Sequence, residues 1–270
     1  MGEPIIGIVG GIGPYAGIDL NRKVFEQTLA SRDQQHVSVM LLSLPREIPD
    51  RSAFLLGRSD DDPVPGIVKC LKVLDAAGAT VAGIACNTAH APRIMKNVVA
   101  MLKADGVGIV IVDMIEAVGT FLKKYVPGVR RVGVLGTDGT IAANAYGTAL
   151  KKYGIAVVYP DPEVQQTRVH AAIYDPAYGI KAVSDPVTRK ARDALLEAAT
   201  HLARDKGCDA LVLGCTEIPL ALRERVVCGR PSIDPTTVLA RALVERVAPE
   251  QLVPVSAILG ESTELRSETC

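Results

Sequence analysis

The chain has 270 residues, enough for one large domain or two ordinary ones that each bury a core. Lysine plus arginine and aspartate plus glutamate number 30 each, so no overall field attracts nucleic acid or an anionic membrane. The chain has no tryptophan and only 4% aromatic residues, which also argues against a base-stacking surface. These properties exclude partners that bind mainly through charge or stacking.

The first residues, MGEPIIGIVGGIG, lack a basic region, and glycine interrupts their apolar run, so we expect no secretory signal. No stretch approaches the roughly 18 apolar residues of a membrane helix. The six cysteines form neither C-x-x-C pairs nor a clustered framework, which is typical of a reducing compartment. The sequence therefore predicts a cytoplasmic protein with free thiols.

Short apolar runs alternate with longer segments of helical period, which indicates an α/β fold with parallel sheets. The segments 64–77 and 190–203 carry apolar residues on one helical face. The runs predicted as strands are nearly all apolar, as expected for strands covered on both faces. They are residues 5–9, 37–42, 80–85, 108–112, 131–135, 155–159 and 210–213.

Two short sequence patterns each occur twice, and the distance along the chain between the two copies is nearly the same for both patterns. The run IIGIVGG at 5–11 resembles RVGVLGT at 131–137. Likewise, VAGIACNTA at 81–89 resembles ALVLGCTEI at 210–218. This agreement predicts two similar α/β halves, each with a Gly-rich turn after its first strand and a strand that delivers a cysteine. A chance match of short apolar runs is the alternative.

We predict that residues 1–122 and 229–270 form an N-terminal domain carrying Cys86 and that residues 123–228 form a second domain carrying Cys215. The first boundary follows from KKYVPGVR at 123–130, where charge, proline and glycine come after a helix. The second follows from a strand-helix pattern after 228–231 that could return to the first half.

Cys86 and Cys215 each follow an apolar strand and precede a threonine-containing turn. The carboxyl end of a parallel strand faces the ligand crevice, and a helix N-terminus there stabilises a thiolate. Inverting a Cα centre needs a base on one face and an acid on the other, which one thiolate and one thiol supply. The alternative is two buried structural cysteines, and we favour that interpretation for Cys70 and Cys208.

The motifs Cys86-Asn87-Thr88-Ala89 and Gly214-Cys215-Thr216-Glu217 resemble the two signatures of the aspartate/glutamate racemase superfamily. The resemblance extends over nearly the whole chain. It implies a pyridoxal-phosphate-independent racemase that uses no cofactor, with two pseudo-symmetric α/β domains, an active site in the cleft between them, and a homodimer. The expected role is interconversion of D- and L-amino acids.

The opening turn Gly10-Gly11-Ile12-Gly13-Pro14 resembles the aspartate racemase branch. Glutamate racemases typically have an Asp-Ser-Gly opening and Cys-Thr-His in the second motif, whereas this chain has Cys-Thr-Glu. The resemblance therefore implies aspartate racemase, and a broad-specificity aspartate/glutamate racemase remains the alternative.

The resemblance also implies the groups that hold an amino-acid substrate. Arg51 resembles the family's substrate-binding arginine, which can bind a carboxylate bidentately, and Lys181 resembles the lysine that acts with it. The alternative for both is a solvated surface charge. The further substrate-binding candidates are Asn87, Thr88, Thr216, Gly11 and Thr137, with Thr140 a weaker candidate and Glu217 in a supporting role. The four scattered histidines, His90 among them, show no metal spacing, so we expect no metal.

Two hypotheses of other classes remain open at this point. Gly11-Ile12-Gly13-Pro14-Tyr15-Ala16 formally matches a dinucleotide fingerprint and would suggest an NAD-dependent oxidoreductase. The acidic residue expected at the end of the second strand is missing, however, and Pro14 removes an amide from the phosphate cradle. A non-catalytic amino-acid-binding protein is the other hypothesis, although binding gives no need for two opposed thiols.

Overall fold

The computed structural model describes residues 3–259. They form two compact units: unit 1 is made of the described residues up to Ala117 together with Thr236–Val253, and unit 2 of Val118–Pro235 together with the described residues from Pro254 on. The sequence predicts boundaries at 122/123 and 228/229 and assigns residues 254–259 to the first domain, whereas the structure groups these residues with unit 2. Residues 1–2 and 260–270 of the predicted first domain lie outside the described residues.

The regular elements alternate between strands and helices, as predicted. The strands are β1 (Ile5–Gly10), β2 (Ser38–Ser43), β3 (Ala79–Ile84), β4 (Val110–Ile111), β5 (Arg131–Gly136), β6 (Ala156–Val158), β7 (Ala210–Gly214), β8 (Val226–Val227) and β9 (Arg230–Ile233). The helices are α1 (Pro14–Glu26), α2 (Arg51–Leu55), α3 (Val64–Ala76), α4 (Pro92–Ala104), α5 (Met114–Tyr125), α6 (Asp138–Ala142), α7 (Ala145–Leu150), α8 (Pro162–Val164), α9 (Ala171–Tyr174), α10 (Arg189–Thr200), α11 (Ile218–Ala221), α12 (Pro235–Val247) and α13 (Ser256–Leu259).

Short irregular helices join these elements. The 3₁₀ turns are Asp33–Gln35, Pro45–Glu47, Thr88–His90, Lys151–Tyr153 and Pro249–Gln251, and two π-helical segments are Gln165–His170 and His201–Asp205. No helix among residues 3–259 is both long and apolar enough to cross a membrane.

The two units contain sheets with the same core order. In unit 1 the order is β2-β1-β3-β4, and in unit 2 it is β6-β5-β7-β9-β8. All neighbouring strands pair in parallel except β8 and β9, which are antiparallel. The predicted α/β class with two parallel sheets is confirmed, and β1 and β3 occupy the same places in unit 1 as β5 and β7 in unit 2.

Both faces of the unit 1 sheet are covered, which explains its nearly continuous apolar strands. Ile6 and Ile8 of β1 are fully buried in one cluster with residues of α1 and α12, among them Leu20 and Leu243. Val9 and Ile84 lie in a second cluster with residues of α3 and α4. The alternating side chains of β1 therefore serve two separate cores.

Gly11 follows β1 where the chain passes very close to another backbone segment. Its φ of +76° lies in the left-handed region. A Cβ there would stand 2.8 Å from the backbone nitrogens of both Leu44 and Pro45. This approach accounts for the glycine without invoking a phosphate cradle.

We expect Gly11→Ala to destabilise unit 1 more than Gly106→Ala, which has a similar φ of +67° but no heavy atom within 4 Å of the added Cβ. Gly106→Ala should cost about 1 kcal/mol through backbone strain alone, and Gly11→Ala about 1–3 kcal/mol more through the backbone clash. Urea denaturation followed by circular dichroism measures the difference. Equal losses in the two variants would show that the close approach is not required.

Candidate active site

The Cys86 turn, defined as Cys86–His90, begins just beyond the carboxyl end of β3. The Ala85 N–H donates to the Val9 carbonyl at 3.1 Å, and the Cys86 N–H donates to the Ile84 carbonyl at 2.8 Å. The cysteine is a buried free thiol with 5% of its surface exposed. Since β1 pairs with β3, Cys86 and the Gly-rich turn lie at the same edge of the sheet.

The last residue of the Cys86 turn is a buried histidine. The His90 side chain is 0% exposed, with Nδ1 3.4 Å from Asp113 Oδ2 and Nε2 3.4 Å from the Ile84 carbonyl. Asp113 accepts N–H groups of Ile115 and Glu116 at 2.9 and 3.0 Å. Burial would raise the pKa of the Asp113 carboxyl, but His90 and these amides hold it below its ordinary value. Asp113 therefore links β4, the start of α5 and the Cys86 turn.

Arg51 is buried rather than solvated, since only 8% of its surface is exposed. It is the first residue of α2, whose N-cap Asp50 accepts the Ala53 N–H at 2.7 Å. The Arg51 Nη1 donates to the Pro49 carbonyl at 3.0 Å, and α2 packs against the Thr88–His90 part of the Cys86 turn. The surface-charge alternative is thus wrong for Arg51, which unit 1 places beside the element that carries Cys86.

The Cys215 turn, defined as Cys215–Glu217, occupies the corresponding position in unit 2. It follows β7, whose last residue Gly214 is in register with Gly136 of β5. The Cys215 thiol is free and 4% exposed. The second Gly-rich turn and the second cysteine therefore lie at one sheet edge, as in unit 1.

Glu217 connects Cys215 to a cation. The Cys215 Sγ donates to Glu217 Oε2 at 2.9 Å, and the Lys181 Nζ donates to Glu217 Oε1 at 2.7 Å. Glu217 is 4% exposed, whereas the Lys181 side chain keeps 25% of its surface in solvent. One buried carboxylate thus contacts the thiol with one oxygen and the ammonium of a partly exposed lysine side chain with the other.

Burial and the Glu217 charge keep Cys215 protonated. Burial is the largest cause that raises the pKa of this thiol well above its ordinary value, and the Glu217 carboxylate adds to it, against the opposing charge of Lys181. Burial also opposes the charge of Lys181, but Glu217 raises the pKa of that ammonium above its ordinary value. The described arrangement is therefore a neutral thiol, a carboxylate and an ammonium in contact.

The remaining predicted polar residues are all buried, with Asn87, Thr88 and Thr216 in the two cysteine turns and Thr137 just after β5. Asn87 is 1%, Thr88 5%, Thr216 2% and Thr137 3% exposed. The Asn87 side chain does not cap the turn that follows it. The Thr137 hydroxyl, in contrast, caps α6 by accepting the Thr140 N–H at 3.2 Å, which favours a structural role.

Sequence reasoning missed Asp113 and Tyr174. Asp113 follows an apolar strand as an ordinary helix cap, and its nearness to His90 follows only from the pairing of β4 with β3. The Tyr174 ring centroid lies 5.6 Å from the Lys181 Nζ, and no spacing in the sequence indicates this contact. Among residues 3–259, no group of three or more histidine, cysteine, aspartate or glutamate side chains is arranged to hold a metal ion.

The model of the Asp/Glu/hydantoin racemase family matches residues 9–243. The chain belongs to this family. Racemases are isomerases, the enzyme class that the sequence predicts, and the match decides against the NAD-dependent oxidoreductase hypothesis. The family resemblance predicted from the two cysteine motifs is confirmed.

Relatives within the family differ in the substrate that their names give. The fold is similar to that of Picrophilus torridus aspartate racemase, with a TM-score of 0.76, 30% sequence identity, and coverage of 95% of this chain and 98% of that one. Curated glutamate racemases of Koribacter versatilis and Geobacter metallireducens are 29% identical over 194 residues and 34% identical over 142 residues. These alignments cover 71% and 52% of this chain but only 60% and 45% of the relatives, so the chain spans about half the length of the curated relatives it matches.

We expect Glu217→Gln to lower the pKa of the Cys215 thiol. The carboxylate disfavours a neighbouring thiolate, so a neutral amide beside the remaining Lys181 charge favours it. The measurement is the pH dependence of Cys215 alkylation in a Cys86→Ala background, followed by mass spectrometry. Glu224→Gln, which removes a carboxylate paired with Arg192, is the control, and an unshifted profile in Glu217→Gln would contradict the electrostatic role.

Proposed function

We propose that the protein is a cofactor-independent aspartate racemase in which Cys86 and Cys215 exchange protons with opposite faces of the substrate Cα. The observation that carries the proposal is the equivalent placement of two buried free cysteines, each just beyond the carboxyl end of the strand next to the first strand of its unit. A repeated fold that delivers one thiol per unit suits a reaction that needs one base and one acid.

The described contacts assign starting roles to the two thiols in this proposal. Cys215 is bonded as a donor to Glu217 and enters as the acid, so Cys86 enters as the thiolate base for one enantiomer. The base takes the α-proton, and the acid delivers a proton to the other face. After turnover the protonation states are exchanged, and the opposite enantiomer uses the same pair in reverse.

Substrate binding in this proposal uses cations on both units. Arg51 binds one carboxylate through its planar guanidinium, and the ammonium of the partly exposed Lys181 side chain binds the other. Asn87, Thr88 and Thr216 donate to the carboxylate on which negative charge accumulates as the α-proton leaves. The chain itself supplies every proton carrier that the proposal needs.

The preference for aspartate rests on two observations. The second motif is Cys-Thr-Glu, with its glutamate bonded to Lys181, and the structural relative with 30% identity is named an aspartate racemase. The curated relatives are named glutamate racemases, which favours a broad-specificity enzyme as the second candidate. One methylene changes discrimination by only about 1–3 kcal/mol, so comparing kcat/KM for both enantiomers of aspartate and glutamate separates the two. A cytoplasmic homodimer completes the proposal, and light scattering tests its dimeric state.

We expect Cys86→Ala and Cys215→Ala each to lower racemisation of aspartate by at least about a thousandfold, because one face of Cα then lacks its proton carrier. Circular dichroism of the amino acid measures inversion, and NMR in heavy water measures α-proton exchange without added cofactor. Cys208→Ala, which changes a buried cysteine before β7, should remain active.

Two results would contradict this proposal. Near-normal racemisation in either cysteine variant would remove that thiol from the reaction. Absence of α-proton exchange in the reduced wild-type protein, with tight binding of aspartate, would favour the non-catalytic binding protein instead.

We expect Arg51→Lys to raise KM for aspartate by about tenfold with a smaller change in kcat, because a lysine keeps the charge but loses the bidentate fork. Steady-state kinetics measure the split, and urea denaturation checks folding. Lys69→Arg, at an exposed ion pair with Glu47 in the same unit, is the control. A variant that loses stability without a selective rise in KM would assign Arg51 a structural role.

A further inference from the structure

A second group of polar side chains in unit 2 lies outside the two cysteine turns and is joined to Lys181. Its centre is Asp138, in the first turn of α6. The Asp138 Oδ1 accepts the Gln165 Nε2 at 2.9 Å, and Oδ2 accepts the Gln166 Nε2 at 3.0 Å. The His170 Nδ1 lies 3.1 Å from the same Oδ2. The Asp138 carboxylate therefore contacts three side chains of one segment.

That segment is the π-helix Gln165–His170. Its wider turn places residues five apart on one face, so Gln165 and His170 both reach Asp138, and such turns often occur at functional sites. Gln165 also donates to the Gly136 carbonyl at 3.0 Å. The segment is thereby fixed to the end of β5, at the sheet edge that carries the Cys215 turn.

The group continues through an aromatic ring to the active-site cation. The His170 ring stacks on Tyr174 with a centroid distance of 4.9 Å and an interplanar angle of 25°. The Lys181 Nζ lies 5.6 Å from the Tyr174 ring centroid, within the range of a cation–π contact. Asp138, His170, Tyr174, Lys181 and Glu217 thus form a continuous series of contacts that ends at Cys215.

We infer that Asp138, His170 and Tyr174 form a positioning column that holds the Lys181 ammonium where it can bind a substrate carboxylate while it remains bonded to Glu217. The inference rests on the proposed function, because it concerns how the same site binds a dicarboxylate. Lysine is a point charge on a flexible four-carbon stem. A single ion pair with Glu217 restrains this stem only in part, and the Tyr174 ring supplies a second contact.

The position of the column separates it from the chemistry. His170 and Asp138 contact Lys181 only through Tyr174, so they are positioning residues. The column should therefore affect binding of a dicarboxylate more than the proton transfers at Cys86 and Cys215. Loss of the ring leaves the ammonium bonded to Glu217 alone and weakens its hold on the ligand.

The first test compares Tyr174→Leu with Tyr174→Phe by calorimetric titration of succinate, a dicarboxylate without a chiral centre. Tyr174→Leu removes the ring that both the His170 stack and the Lys181 contact need, and we expect Kd to rise about three- to tenfold. Tyr174→Phe keeps the ring, and its Kd should stay within about twofold of wild type. Equal losses in the two variants would overturn the inference.

The second test compares His170→Leu with His201→Leu. His201 also lies in a π-helical segment of unit 2 and also contacts carboxylates, with Nδ1 2.8 Å from Asp205 Oδ2 and Nε2 3.3 Å from Asp161 Oδ2. His170→Leu should raise Kd for succinate and KM for aspartate about three- to tenfold with kcat within about twofold. His201→Leu should change neither.

The outcomes distinguish this inference from the proposed function. Wild-type protein that binds succinate but exchanges no α-proton would overturn the racemase proposal and leave the column testable by calorimetry. Unchanged succinate binding in Tyr174→Leu and His170→Leu would overturn the column whatever the enzymatic activity. A fall in kcat without a rise in KM or Kd would also overturn it, since the column is then coupled to chemistry rather than to binding.

Discussion

The Glu217 carboxylate is the contact on which the arrangement of the Cys215 turn depends. A buried carboxylate is unfavourable unless its charge is compensated and its oxygens are bonded. Lys181 compensates the charge, and the Cys215 thiol bonds to the other oxygen. The same contacts keep the thiol protonated and hold the ammonium near it. Removing any one of the three groups therefore changes the protonation or the position of the other two.

The repeated scaffold sets where the thiols lie, and the surrounding side chains set how they differ. Parallel pairing of β3 with β1 and of β7 with β5 brings each cysteine to the sheet edge that carries a Gly-rich turn. In unit 1 the turn contains His90, which contacts Asp113. Unit 2 instead contacts its thiol directly with Glu217. Two turns with the same topology thus place thiols in different electrostatic surroundings, which is what the proposed acid and base require.

Much of the fold follows from local sequence signals, because strands buried on both faces are continuously apolar. The predicted runs around Cys86 and Cys215 correspond to β3 and β7. The strand β9 has no such signal, since Arg230 and Pro231 interrupt it, and its place beside β7 is a tertiary property. The burial of Arg51 and the contact of Tyr174 with Lys181 likewise depend on how distant segments pack. Motif context predicted Arg51 and Lys181 as candidates, but only the structure gives their neighbours.

The difference between the two thiols bears on the proposed reaction, which must run in both directions. Enantiomers have equal free energies in water, so the equilibrium constant is one. The value of kcat/KM must then be the same for the two substrates even when the protein is asymmetric. An enzyme can still divide that equal ratio differently between kcat and KM. When Cys215 serves as the base in the proposed mechanism, its thiolate adds a negative charge beside Glu217, which the Lys181 ammonium and a turn amide offset. The Lys181 ammonium then stabilises the most negative charge in the direction that starts from the Cys215 thiolate. Restraint of this lysine is therefore expected to change kcat and KM by different amounts for the two enantiomers. The equilibrium between the enantiomers stays unchanged.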